Sequence, residues 1–367
     1  MKSKRALTYL LLVTILISCS DSQQIENQTK ESLKVGAILP LSGSAAIWGE
    51  AIQNGMELAQ EELAKEGMTI GIQYEDSQAI PTLGLSAYKK LVEQDKVNIV
   101  ISAFSRVSVP LISLVERDRM PLLMTMVAAK GVTENSQYAF RFYSTEKDYA
   151  YPHFDILKSE YTSLGLLYLN DEYGVSVAQA IRDKAKENNV KIVVEETFDP
   201  ATTDFRTQLL KIKAKNPQAL LFVGAVPTEV VNAMKQVKEM QLDSIFFEAS
   251  PNLGLEPIRA TAGGSAEGVY TLAYPLTLGM AGAAFSEAYR ERYGEAPLHA
   301  AAFGYDMVVL AAKASNGKSV TGKALVDKIL ALKSFDSLNG PVQIQSTREI
   351  NPSLYSVKIV NGSLVRT

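Results

Sequence analysis

The sequence predicts an α/β protein built as two doubly wound lobes. Short apolar runs of strand length alternate with stretches of helical periodicity. The alternation begins near Leu33 and starts afresh near Leu164. At 367 residues the chain is also long enough for two domains of ordinary size.

In the first series, the run 35–39 (VGAIL) suits a buried parallel strand, and the small-residue loop 42–44 follows it. Ile52, Met56, Ala59 and Leu63 then recur at helical spacing. Further strands are expected at 69–72, 98–101 and 121–124, with helices through Leu85, Tyr88 and Leu91 and through Leu111, Leu114 and Val115. In the second series, strands are expected at 164–168, 191–194, 220–223 and 245–247. The intervening helices carry Val177, Ile181 and Ala185, then Phe205, Leu209 and Ile212, then the stretch 230–240. Helices at 283–315 and 322–332 come after both series, and 355–360 is strand-like again. Strands alternating with helices imply parallel sheets covered on both faces.

The first residues read as an address. Lys2, Lys4 and Arg5 precede an apolar run, 6–17, that would span roughly 18 Å as a helix, short of the ~30 Å hydrocarbon core. It reads as a secretory signal. LISC at 16–19 resembles the bacterial lipobox, which implies cleavage before Cys19 and acylation of its sulfur. Several acyl chains on Cys19 would anchor a soluble domain firmly. Residues 19–32 are polar and read as a tether with a reach of about 20 Å.

Composition removes whole classes of function. Lys and Arg total 37 against 40 Asp and Glu, so there is no basic footprint for nucleic acid. A single Cys excludes a disulfide framework, and two His, His153 and His299, make a histidine metal centre unexpected. Gly317, Lys318 and Ser319 have the end of a phosphate loop but lack its earlier glycine, and 263–268 lacks the G-x-G-x-x-G spacing. Neither G-x-S-x-G nor H-E-x-x-H occurs. No cofactor, no metal and no enzyme chemistry are expected.

What remains is a set of strand-end loops rich in small polar and aromatic residues. Ligands of doubly wound sheets sit outside the carboxyl ends of the strands. The candidate loops are 42–48, 104–108 and 125–129 in the first series, and 171–173, 224–228 and 248–252 in the second.

Here the order of motifs becomes specific. KVGAILPLSG (34–43), Trp48 with Gly49, and NGMELA (54–59) open the chain. DEYG (171–174), TDF (203–205) with Gln208 and Leu209, and AEGV (266–269) follow. Together they resemble periplasmic binding proteins of the leucine/isoleucine/valine class over essentially the whole mature chain. The resemblance implies two Rossmann-like lobes joined by three crossover strands. It places 33–145 plus 274–350 in lobe one and 146–273 plus 351–367 in lobe two. It further implies a monomer that captures a small ligand, an amino acid or an organic carboxylate, for an ABC permease, held outside the cytoplasm by its lipid anchor. The same fold signalling to a membrane receptor is the alternative, and a secreted enzyme a more distant one.

The resemblance also nominates ligand residues. Trp48 and Tyr173 are expected to cover the ligand, and Ser105 or Ser108 to hold its carboxylate. The second loop reads MVA (126–128), with Ala128 where amino-acid binders carry a Thr, so Met126 and Ala128 form an apolar floor. Val226 is expected from the 224–228 loop. SPN (250–252) is uncharged where an acidic residue is expected, which leaves Glu248 as the ammonium partner. Arg106 offers a planar fork for a carboxylate, so an organic acid is the sharper expectation.

Overall fold

The computed structural model describes residues 32–367. The signal segment 1–18, Cys19 and nearly all of the tether lie outside the described residues.

Five strands, β1 (Leu33–Leu39), β2 (Ile70–Asp76), β3 (Ile99–Ala103), β4 (Leu122–Thr125) and β5 (Ala139–Phe142), begin the first sheet. Helices α1 (Ala46–Lys65), α2 (Pro81–Glu93), the single turn α3 (Ser105–Ser108) and α4 (Ile112–Asp118) connect the first four. The chain then enters the second lobe through α5 (Glu146–Ala150) and α6 (Phe154–Glu160). There β6 (Ser163–Leu169), β7 (Lys191–Phe198), β8 (Ala219–Val223), β9 (Ile245–Glu248) and β10 (Tyr270–Ala273) alternate with α7 (Glu172–Glu187), α8 (Arg206–Lys215), α9 (Pro227–Glu239) and α10 (Glu256–Ala262). After β10 come α11 (Ala283–Tyr293), α12 (His299–Ser315) and α13 (Gly322–Ala331). A hairpin, β11 (Ser334–Ser337) and β12 (Gly340–Gln343), precedes β13 (Glu349–Ile350), β14 (Tyr355–Val360) and β15 (Ser363–Arg366).

The first sheet has six strands in the order β13-β5-β4-β3-β1-β2, the second seven in the order β15-β14-β10-β9-β8-β6-β7. The chain therefore passes between the sheets three times, after β5, after β10 and before β14. Central strands β3, β4 and β8 are buried at every residue, as strands covered on both faces must be. The edge strands β2 and β7 mix half-buried and exposed positions, and β7 carries charge on its open side. Only β14 is reversed within the two large sheets, pairing antiparallel with β10 and with β15.

The stretch expected to be helical over 283–315 is two helices. Gly294, in the left-handed region at φ 77°, ends α11, and Pro297 lies in the turn before α12. Strands β5 and β10 and the β11–β12 hairpin had no apolar run long enough to announce them. No helix among the described residues is long and apolar enough to cross a membrane.

Candidate functional site

The site is built around the packing of α1 on α12. Gly55 faces Ala301 so closely that a Cβ would lie 1.8 Å from its carbonyl oxygen, and a Cβ on Gly304 would lie 2.1 Å from that of Ile52. Two missing side chains let the helix backbones touch, and the contact fixes the residues at their ends. Trp48, in the first turn of α1, and His299, at the start of α12, have ring centroids 5.1 Å apart. Asp76 shapes the loop that leads into α1, accepting from the N–H groups of Leu41 (2.9 Å) and Gln78 (2.8 Å) and from the Ser42 hydroxyl (2.5 Å). Burial pushes its carboxyl up, but these hydrogen bonds outweigh that and hold it below the usual range.

Two further first-lobe residues leave their strands in the left-handed region, Phe104 after β3 (φ 72°) and Met126 after β4 (φ 54°). Non-glycine residues adopt this conformation at a cost, and such strain concentrates at ligand sites. Both side chains face the space between the lobes.

From the crossover and the second lobe come Tyr143, Tyr149 and Tyr173, with Gly224 and Ala225 after β8 and residues 250–252 after β9. Tyr149 packs on Tyr143 (5.9 Å) and edge-on to Tyr173 (5.8 Å). Tyr173 is presented by the start of α7, where the Asp171 carboxylate accepts from the N–H of Gly174 at 2.8 Å. Burial pushes the Tyr143 hydroxyl up to about 12 and those of Tyr149 and Tyr173 well above the usual phenol range, so all three are neutral. These residues enclose a cleft of about 380 Å³, counting the part open to solvent. Its lining is aromatic and contains no Asp, Glu, Lys or Arg.

Of the residues expected from sequence, Trp48, Met126 and Tyr173 line this cleft. The others do not, and each has a local reason. The Ser108 hydroxyl is hydrogen-bonded to that of Ser102 at 2.7 Å, and the Ser105 hydroxyl accepts from the N–H of Ala129 at 3.3 Å. Ala128 and Val226 are buried in the cores beneath their loops. Glu248 faces inward, and its carboxylate accepts from Ser250, Asn252, the N–H of Leu253 and Thr271. Burial nevertheless pushes it up to about 7. Arg106 is buried, with its guanidinium 5.8 Å from the centre of the Phe104 ring and its Nε without a partner. Its charge acts on two second-lobe carboxyls, Asp171 and Glu229. Burial pushes both up, Asp171 to about 6; the N–H of Gly174 pulls Asp171 back and the N–H groups of Ala225, Val226 and Ala201 pull Glu229 back, with Arg106 adding a smaller pull on each.

Sequence reasoning missed Tyr143, Tyr149 and His299. The first two stand at the crossover in a stretch dense in aromatics, Tyr138, Phe140, Phe142, Tyr143, Tyr149 and Phe154, and that density was the available signal. His299 had none. His153 is structural: its Nε2 pairs with the carbonyl of Glu248 at 2.8 Å, and burial pushes the ring down to about 4. Among the described residues no group of three or more His, Cys, Asp or Glu is placed to hold a metal ion.

An aromatic cleft between the carboxyl ends of two parallel sheets is suited to enclosing a small solute. Comparison with known proteins agrees. A Leu/Ile/Val-binding protein homologue of Brucella abortus is 23% identical over 325 residues, covering 78% of this chain and 76% of that protein. The leucine-binding protein LivK of Thermotoga maritima shares the fold with a TM-score of 0.81 at 19% identity, over 91% of this chain and 97% of that one. LivJ of Streptococcus pneumoniae, solved with isoleucine, gives 0.80 at 24% identity over 92% and 100%. A solute-binding protein of an ABC transporter from R. palustris, solved with benzoate, gives 0.81 at 20% over 91% and 95%. The sequence profile of the periplasmic binding proteins matches residues 32–363, and the chain belongs to that family, with the two-lobed type I fold of its branched-chain amino acid class.

Proposed function

We propose that this protein captures one small solute, an amino acid or an organic carboxylate, in the cleft and delivers it to the permease of an ABC importer. The observation that carries the reading is the cleft itself, with lobe-one rings Trp48 and Phe104 on one side and Tyr149 and Tyr173 on the other. The relatives named above add support, since their names or structures involve branched-chain amino acids and benzoate. In this reading 33–145 plus 274–350 closes as one lobe on 146–273 plus 351–367. Cys19 carries the lipid that holds a monomer outside the cytoplasm.

Capture needs no bond making. The solute shifts the open–closed equilibrium by its differential affinity for the closed form, in which both aromatic walls touch it. Micromolar affinity requires about −8 kcal/mol, within reach of a buried ring and a few hydrogen bonds. The Arg106 charge, felt by Asp171 and Glu229 of the other lobe, favours the closed form.

A thermal-shift screen of amino acids and aliphatic and aromatic carboxylates tests this. A solute at a hundred times its Kd adds about 2.7 kcal/mol of stability. A panel in which nothing raises the melting temperature contradicts the proposal.

A further inference from the structure

One buried carboxylate organises the polar part of the second-lobe wall. Glu248, at the end of β9, is fully buried, and four neutral donors surround it. The Ser250 hydroxyl (3.1 Å) and Asn252 Nδ2 (2.8 Å) donate to its Oε1. The Leu253 N–H (3.0 Å) and the Thr271 hydroxyl (2.6 Å) donate to its Oε2. Asn252 Nδ2 donates its second hydrogen to the Ser250 hydroxyl oxygen at 2.9 Å.

Ser250, Pro251 and Asn252 line the cleft, yet the side-chain hydrogens of Ser250 and Asn252 are all committed to this inward network. An ionised carboxylate only accepts, so the Asn252 amide can meet it in one orientation, Nδ2 inward, with Oδ1 left free. Pro251 has no N–H, and the N–H of Ala225 beside it on the wall donates to Glu229 at 2.8 Å. The Tyr173 hydroxyl has no partner and can turn to donate or accept, so it sets no polarity. The stretch 250–252 therefore offers acceptors.

We infer that Glu248 is a positioning residue: without touching the solute, it holds Ser250 and Asn252 so that this wall accepts hydrogen bonds from the solute's donor. The inference rests on the solute-binding reading above and adds to that site a residue behind its wall.

Loss of the negative charge should reverse the wall. In Glu248→Gln the Leu253 N–H and Thr271 still need an acceptor, so the new amide hydrogens face Ser250 and Asn252. Asn252 must then turn Oδ1 inward and show Nδ2 to the cleft. Protonation of Glu248 also adds a hydrogen that needs an acceptor. Burial, only partly offset by the four donors, pushes Glu248 up to about 7, so it is mostly ionised at pH 8 and mostly protonated at pH 6. The groups around it keep their state in that window. His153, on the Glu248 carbonyl, is pushed down to about 4; Tyr173 is pushed up; and Arg259, on the Leu253 carbonyl, stays charged. Asp171, pushed up to about 6, is engaged at the N–H of Gly174.

Two measurements on the full chain test the inference. In protein labelled with nitrogen-15 asparagine, with Asn252→Asp assigning the signal, the Asn252 amide resonance should move with a midpoint near 7 and stay still in Glu248→Gln. Calorimetry compares L-leucine with 4-methylpentanoate and L-phenylalanine with 3-phenylpropanoate, pairs that differ by one ammonium donor. In at least one pair the ammonium-bearing probe should bind tenfold or more tightly at pH 8, and the ratio should fall at least threefold at pH 6. Glu248→Gln should show the lower ratio at both pH values, which titration of Asp171 would not produce. An Asn252 resonance indifferent to pH, or a ratio equal at pH 6 and 8, overturns the inference. The parental pH series decides where the variant fails to fold, and the resonance decides where none of the four probes binds. Binding of the deaminated probes alone overturns it and leaves the solute-binding reading standing, whereas an inert thermal-shift panel removes both.

Discussion

Arg141 and Glu349 tie the crossover strands together, and breaking that tie should be costly. Arg141 on β5 donates to Glu349 on β13 through Nε and Nη2, both at 2.8 Å, and Nη1 reaches the carbonyl of Ala129 at 2.7 Å. The two side chains are 3% and 11% exposed. Burial alone would raise the Glu349 carboxyl, but Arg141, Thr133 and Asn351 together hold it below the usual range. Arg141→Met strands a buried carboxylate, and such losses cost about 3–5 kcal/mol. Glu349→Leu strands a guanidinium and should cost a similar amount. The double variant leaves neither charge alone, so its cost should fall about 2–3 kcal/mol short of the sum. It will not return to the parent, because the Thr133 hydroxyl, 2.6 Å from Glu349, loses its acceptor. The assay is denaturant unfolding of all four proteins at pH 7. Because Glu349 titrates low in the fold, the pair's contribution is present above about pH 4.5 and lost as the pH falls through the depressed value. Costs that add to within about 0.5 kcal/mol would show that the two side chains are not coupled, since an uncoupled pair has no shared burial to lose.

Gly304→Ala should destabilise by more than about 2 kcal/mol and shift the emission of Trp48, the only tryptophan, because the added Cβ forces α12 off α1. A stable variant with parental fluorescence would show that the helices are not packed this closely. The pH profile should have two regimes. Glu248 and Asp306 are pushed up to about 7 and Asp171 to about 6, mainly by burial, so the fold binds their protons more tightly than the unfolded chain. Stability should rise as the pH falls from 8 to about 6.5. Below about 6.5 the profile should flatten, because His153 and His299, pushed down to about 4 and about 3, resist protonation in the fold. Melting temperatures that climb steadily toward pH 8 would contradict this. Cys19→Ser should move the protein out of the membrane fraction or leave an uncleaved precursor, and an intact mass with an unmodified Cys19 thiol would rule the anchor out.

The parts of the fold that could be read in advance are those where one physical effect dominates. Strands β3, β4, β6 and β8 are apolar because both faces are covered, and that pattern survives in the sequence. β5 escaped because its four residues include Arg141, whose charge is cancelled by Glu349 more than two hundred positions away. The site divides in the same way. Trp48, Met126 and Tyr173 follow strand ends, where topology puts ligands. Glu248 also ends a strand, but its own loop and Thr271 on β10 supply four donors that turn it inward. His299 reaches the cleft only because Gly55 and Gly304 bring α12 against α1, a pairing with no local signature.

In the proposed function the aromatic cleft holds one solute and releases it unchanged. Native mass spectrometry of the chain, with and without Ala225→Trp, which fills the cleft from the second-lobe wall, measures this occupancy. Once a solute is identified by thermal shift, one molecule per parental chain is expected, recovered chemically intact, with at least tenfold less occupancy in the variant. Equal occupancy in the two proteins, or recovery of an altered molecule, would contradict it.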